Sequence, residues 1–221
     1  MKKLINIALL SSTLFVGANA HEIWINFDEK KNEAKLYFGH FADNEKESGE
    51  KFARIKEGVV YPKDLAKSVT RNDDNITYTL AKKGDIVVVQ EGEPRKNRET
   101  GLTTKRVAHI KTGRDSSTAI TKFDIVPNAK NSNTFKLLYD GKALKDVEID
   151  VISPTGWEKS FVTDENGEFT VKTPWVGTYL LQARYEDDTK GEVDGKPFDK
   201  IVNVITYTID NKQGIAWETK K

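Results

Sequence analysis

Apolar residues along most of this chain recur at every second position, the spacing of a half-buried β-strand. In Glu22-Ile23-Trp24-Ile25-Asn26-Phe27, residues Ile23, Ile25 and Phe27 share one face. Ala34 to Phe41, Asn75 to Ala81, Val107 to Lys111 and Ala119 to Val126 read as further strands. Asp85 to Gln90 is near-continuously apolar and β-branched, the pattern of a strand covered on both faces. Polar connections separate them, notably Asp43 to Lys51 and Gly92 to Thr104, and Pro62 to Ser68 is expected to form a short helix.

Pro127 to Asn133 combines proline with turn-forming residues and is expected to be a linker. Beyond it strand spacing resumes at Thr134 to Tyr139, Val147 to Ile152, Gly156 to Val162, Phe169 to Val171, Gly177 to Arg184 and Ile201 to Ile209. Asn166-Gly167 is the strongest hairpin signal in the chain. About seven short strands at this spacing suggest a sandwich of immunoglobulin-like or prealbumin-like type. The expected fold is mostly β, with two sandwich-like domains at residues 21–128 and 129–221.

Residues 1–20 have a different character. Lys2 and Lys3 precede a short apolar run, and Ala18-Asn19-Ala20 is a small-x-small cleavage pattern, so a secretory signal is expected. The run is short for a membrane span, and the absence of cysteine from the sequence excludes a thioether lipid anchor, disulfides and thiolate metal sites. The expected location is the periplasm, with no stable membrane anchor. Without Lys2 and Lys3, 33 basic residues face 34 acidic ones. That balance leaves no electrostatic footprint for nucleic acid.

Cleavage after Ala20 would expose His21 as the first residue. A terminal histidine can close a six-membered chelate ring through its α-amine and imidazole Nδ1, and both groups lose protons readily near neutrality. The chain has only two other histidines, His40 and His109, each in an apolar strand. Three imidazoles and one amine make a four-nitrogen set suited to divalent nickel, cobalt, copper or zinc. Metal ligation by His21, His40 and His109 is therefore expected; Glu22 reads either as a further oxygen donor or as an ordinary exposed strand residue. The bland alternative is that His40 and His109 are partly buried residues, each satisfied by one backbone hydrogen bond. Trp24, Trp157 and Trp175 read as packing residues or, less simply, as a flat carbohydrate platform. Thr163 to Glu168 lacks calcium-loop spacing and reads as a turn. No nucleophile motif supports hydrolytic catalysis, and the chain is not expected to be an enzyme.

The start His-Glu-Ile-Trp at His21, the Phe38-Gly39-His40-Phe41 strand, Gly156-Trp157-Glu158-Lys159, Pro174-Trp175 with Gly177-Thr178-Tyr179, and Asp194-Gly195-Lys196-Pro197 resemble a family of periplasmic proteins described as the periplasmic component of nickel or cobalt uptake. The resemblance implies a two-part β architecture, export, and handling of a transition metal, with an inner-membrane metal transporter as partner. Its mature N-terminal histidine and Gly-His strand fall on His21 and His40. Many relatives are expected to carry a histidine where this chain has Tyr185. A histidine-brace copper oxidoreductase acting on polysaccharide, and a structural or adhesive sandwich, are the competing readings.

Processing is directly testable. Intact-mass measurement of the exported protein should give a chain that begins at His21; any other first residue removes the chelate.

Overall fold

The computed structural model describes residues 21–217; the expected signal segment lies outside them. The first layer is a five-stranded sheet. It contains β1 (Glu22–Asp28), β2 (Glu33–His40) and β3 (Glu45–Lys46), and after the short helix α1 (Gly49–Ala53) and β4 (Val59–Tyr61), β5 (Ala66–Arg71) and β6 (Ile76–Leu80). Its order is β1-β2-β6-β5, with β3 added to β2 and β4 belonging elsewhere. The chain continues through β7 (Ile86–Glu91), β8 (Arg95–Lys96), β9 (Thr103–Thr112) and β10 (Phe123–Pro127). It then forms β11 (Thr134–Tyr139), β12 (Lys142–Ala143), β13 (Glu148–Ile152), β14 (Glu158–Val162) and β15 (Glu168–Thr170). The last elements are β16 (Gly177–Asp187), the hairpin β17 (Gly191–Val193) and β18 (Lys196–Phe198), and β19 (Lys200–Asn211).

An eight-stranded sheet, β14-β13-β16-β19-β9-β7-β4 with β8 on β9, forms the middle layer. The pairing of β9 with β19 is parallel, from Thr104 opposite Lys200 to Thr112 opposite Thr208. Strands from both sides of residues 127–133 therefore share one sheet. The expected linker is the turn of the β10–β11 hairpin, closed by Asn128 N–H on the Thr134 carbonyl at 2.9 Å. The sandwich-like, mostly β architecture agrees with the sequence reading, but the middle sheet is continuous across the expected division at 128.

Alternation assigns the two faces of that sheet. Leu181, Ile205 and Tyr207 pack with Phe123, Phe135 and Leu137 from β10 and β11. Ile86, Val88 and Ile110 face the other way and pack with Ile25, Leu36 and Ile76 of the first sheet. Leu180 and Ile152 also face that side and meet Trp24. β1 thus stands with Ile25 in one core and Trp24 in another, and the Thr208 hydroxyl donates to the Ile25 carbonyl between them. β7 is apolar from Ile86 to Val89, and Ile86 to Val88 are buried because both faces of the strand are covered there.

Two local expectations differ. Pro62 to Leu65 is a turn and Ala66 to Ser68 begin β5, an exposed edge strand that among the described residues pairs with β6. The helix lies instead at Gly49–Ala53, where Phe52 is buried in the core between the first two sheets. Asn166-Gly167 does turn the chain, with Asp164 Oδ1 accepting from the Asn166 and Glu168 amides at 2.9 and 2.8 Å. It joins strands of different sheets, however, because the Gly167 carbonyl accepts from Leu137 and draws β15 onto β11.

One ion pair spans the middle sheet and β10. Lys111 and Asp124 are both fully buried, 2.6 Å apart, and Lys111 also donates to the Ile125 carbonyl at 2.8 Å. Removing one partner of such a pair strands the other charge and costs about 3–5 kcal/mol. Lys111→Ala should lower stability by that order in urea denaturation. Lys111→Met combined with Asp124→Leu should cost far less than Lys111→Ala alone.

Candidate metal centre

The β1–β2 pairing sets the positions of two histidines. Glu22 lies opposite Gly39, and one step further out His21 meets His40. Their ring centroids are 4.3 Å apart at an interplanar angle of 42°. Both residues share the face of Ile23 and Phe38, and the His21 ring stacks on Phe38 at 4.8 Å and 15°. The pair therefore caps the open end of the core that contains Ile25 and Leu36.

β3 completes the patch. It runs against the end of β2, with Glu45 opposite His40 and Lys46 opposite Gly39. A Cβ on Gly39 would lie 2.1 Å from the Glu45 carbonyl oxygen, so only glycine lets the two backbones approach this closely. The Glu47 amide then donates to the Phe38 carbonyl at 2.8 Å, and the Glu47 carboxylate lies 2.6 Å from His21 Nε2. Lys51, four residues on, sits 3.0 Å from the same carboxylate. Hydrogen bonds to His21 and then Lys51 hold the Glu47 carboxyl below its ordinary range. Glu47 was absent from the sequence-derived ligand set; its one signal was the isolated glycine in a strand, which marks close backbone approach.

Glu22 points to the opposite face from His21, by strand alternation. Its Oε2 accepts the Phe41 amide at 3.0 Å, and burial raises its pKa, with smaller downward pulls from that hydrogen bond and from His40.

His109 is held apart from this pair. On β9, Ala108 and Ile110 face the first sheet, so His109 points through the other face of the middle sheet, where its ring meets Phe123 at 5.8 Å. Its Nδ1 is 3.1 Å from Thr121 Oγ1, and Thr121 donates its own hydroxyl proton to the Phe123 carbonyl. Thr121 must then accept from His109, which puts the ring proton on Nδ1. Among the described residues, Nε2 is left buried with no hydrogen-bond partner. Burial pushes the His109 pKa down to about 4, against weaker upward pulls from Asn203 and Glu91. Tyr185 belongs to this neighbourhood, packed on Phe123 and Tyr139.

Trp24 is buried, while Trp157 is 49% exposed and meets Trp175 at 6.2 Å and 56°, too tilted for a flat platform.

The chemistry open to the patch follows from its donors. Among the described residues, no three His, Asp or Glu side chains form a closed metal-ligand group. His21 and His40 supply two imidazoles, and a terminal α-amine would supply a third nitrogen. With metal–nitrogen bonds of about 2.0–2.1 Å, two rings at right angles around one ion have centroids about 4.5 Å apart. The observed 4.3 Å fits that arrangement.

Fold and site together define a layered β protein with a paired-imidazole patch at the end of its N-terminal hairpin. The chain belongs to the family described as Domain of unknown function (DUF4198), which matches residues 18–187. No curated protein and no solved structure matches it.

The His109 environment carries a pH prediction. Its folded pKa lies below the unfolded value of about 6.5, so the unfolded chain binds more protons between the two. Its neutral form supports the fold fully above about pH 6.5, and that support falls as pH drops toward 4, by up to ~3 kcal/mol. Denaturation across this range should show a shallower acid loss for His109→Gln than for the parent.

Proposed function

We propose that the protein is a periplasmic binding protein for a divalent transition metal, nickel, cobalt or copper, which captures the ion and passes it to an inner-membrane transporter. The observation that carries this reading is the β1–β2 register, which sets His21 against His40 at 4.3 Å. The ligands are the α-amine and Nδ1 of His21 and one imidazole nitrogen of His40. Zinc fits the same nitrogen donors, and softness alone does not choose among these ions. When bound, the metal supplies a Lewis-acidic centre at a partly exposed strand end. The protein's own residues supply neutral donors and a rigid hairpin to hold them. The family resemblance in the N-terminal strand, the Gly-His strand and the tryptophan-containing blocks points the same way.

One observation favours a second reading. With His109 on the far side of the middle sheet, two imidazoles and an amine leave a coordination position open, as in a histidine-brace copper oxidoreductase. Ascorbate-dependent oxygen consumption by the copper-loaded protein would support that reading; inert copper would favour capture and delivery.

Metal titration of the processed protein is the test. His21→Ala, His40→Ala and a one-glycine N-terminal extension should each weaken Cu(II) or Ni(II) binding about tenfold or more, some 1.4 kcal/mol per decade. His109→Gln should leave affinity unchanged. Full affinity in the glycine-extended chain would overturn the proposal, because the extension keeps every imidazole and removes only the chelate.

A further inference from the structure

We infer that Glu47 is a positioning residue for His21: its carboxylate accepts the Nε2–H hydrogen bond and so leaves the Nδ1 lone pair free for the α-amine that cleavage after Ala20 would create. The consequence for metal rests on the binding reading above; the assignment of the proton does not.

The argument starts from the hydrogen-bond inventory of the two groups. A neutral imidazole has one N–H and one lone pair, and an ionised carboxylate can only accept. Glu47 Oε1 lies 2.6 Å from His21 Nε2. The proton of the neutral ring is then on Nε2, and Nδ1 keeps its lone pair. Nδ1 is the nitrogen that matters for a chelate. The ring of metal, amine nitrogen, Cα, Cβ, Cγ and Nδ1 has six members, whereas Nε2 lies on the far side of the imidazole and cannot close it. Glu47 thus selects the one tautomer in which a terminal His21 can use both nitrogens. Carboxylates in this role fix the orientation of a ligating imidazole and raise its basicity.

The carboxylate is itself placed from two directions. Its backbone is tied to β2 by the Glu47 N–H on the Phe38 carbonyl, at 2.8 Å. Its side chain is paired with Lys51 at 3.0 Å. Phe38, on the strand so tied, is the ring on which His21 stacks. Phe38 therefore sets the plane of the imidazole, and Glu47 sets its rotation within that plane. Gly39 is what admits β3 to this position, since any side chain there meets the Glu45 carbonyl.

The test uses the processed protein, isotopically labelled, without metal and then with Cu(II). Long-range proton–nitrogen spectra of the neutral ring should show His21 as the Nε2–H form. Glu47→Ala should convert it to a tautomer mixture. Glu47→Gln should keep much of the Nε2–H form, because its amide oxygen still accepts. Cu(II) affinity should fall about 10–100-fold in Glu47→Ala and less in Glu47→Gln. A parent His21 found as the Nδ1–H form would overturn the inference. So would equal losses in the two variants with an unchanged tautomer, which would make Glu47 a direct ligand. If the spectra behave as expected but the parent binds no Cu(II), the positioning role stands and the metal-binding proposal falls.

Discussion

Much of this molecule depends on how one strand meets a sheet. β1 is the edge of the first sheet, and an edge strand presents backbone groups that need partners. Here the edge turns onto the face of the middle layer, where the Thr208 hydroxyl donates to the Ile25 carbonyl. That contact separates two apolar cores. Ile25 and its neighbours fill the space toward β7 and β9, and Trp24 fills the space toward β13 and β16. A strand held on both sides cannot slip by one residue without exchanging Trp24 and Ile25. The register that follows is the one that sets His21 against His40.

The middle sheet does the same for the rest of the chain. Its parallel β9–β19 pairing binds the first and second halves into one layer, and its two faces carry different chemistry. Lys111 and Asp124 neutralise each other on the β10 side, with the carboxylate also accepting the Ile120 amide at 2.7 Å. His109 lies on that same side, two residues earlier in β9. Its proton is committed to Thr121, while its buried Nε2 has no hydrogen-bond partner among the described residues. Removing Lys111 and acidifying His109 perturb one wall of the molecule, and the imidazole pair lies beyond the other.

Strands with one buried face were legible in the sequence because their alternation is a direct record of that face. β1, β2, β6 and β13 fall close to where period-two patterning puts them. The neighbouring placement of His21 and His40 was legible for the same reason, since two consecutive strands with a short connection form a hairpin. The placement of His109 was not. β9 is covered on both sides, so its pattern does not say which layer each side chain meets. The β9–β19 pairing was equally hidden, because parallel neighbours are far apart in sequence and leave no turn signal. Residues 127–133 looked like a linker because hairpin turns and linkers use the same residues. Glu47 looked like one more charge in a polar connection. Only the glycine at position 39 hinted that another backbone comes close.

The end of β2 separates two kinds of donor by face. His21, His40 and Glu47 lie on the side of Phe38, while Glu22 lies on the other side and closes the strand exit through the Phe41 amide. Burial raises the Glu22 pKa, so that face gains from neutrality. The Glu47 charge is balanced by Lys51. An ion bound by the two imidazoles and an amine would therefore keep most of its positive charge. Such a site resists accumulation of further cations, and its partly exposed rim lets a partner's donors enter as the protein's own leave. Storage would call for several carboxylates and a closed shell. Neutral nitrogen donors at an open strand end suit capture followed by transfer, which is why the proposed role is delivery.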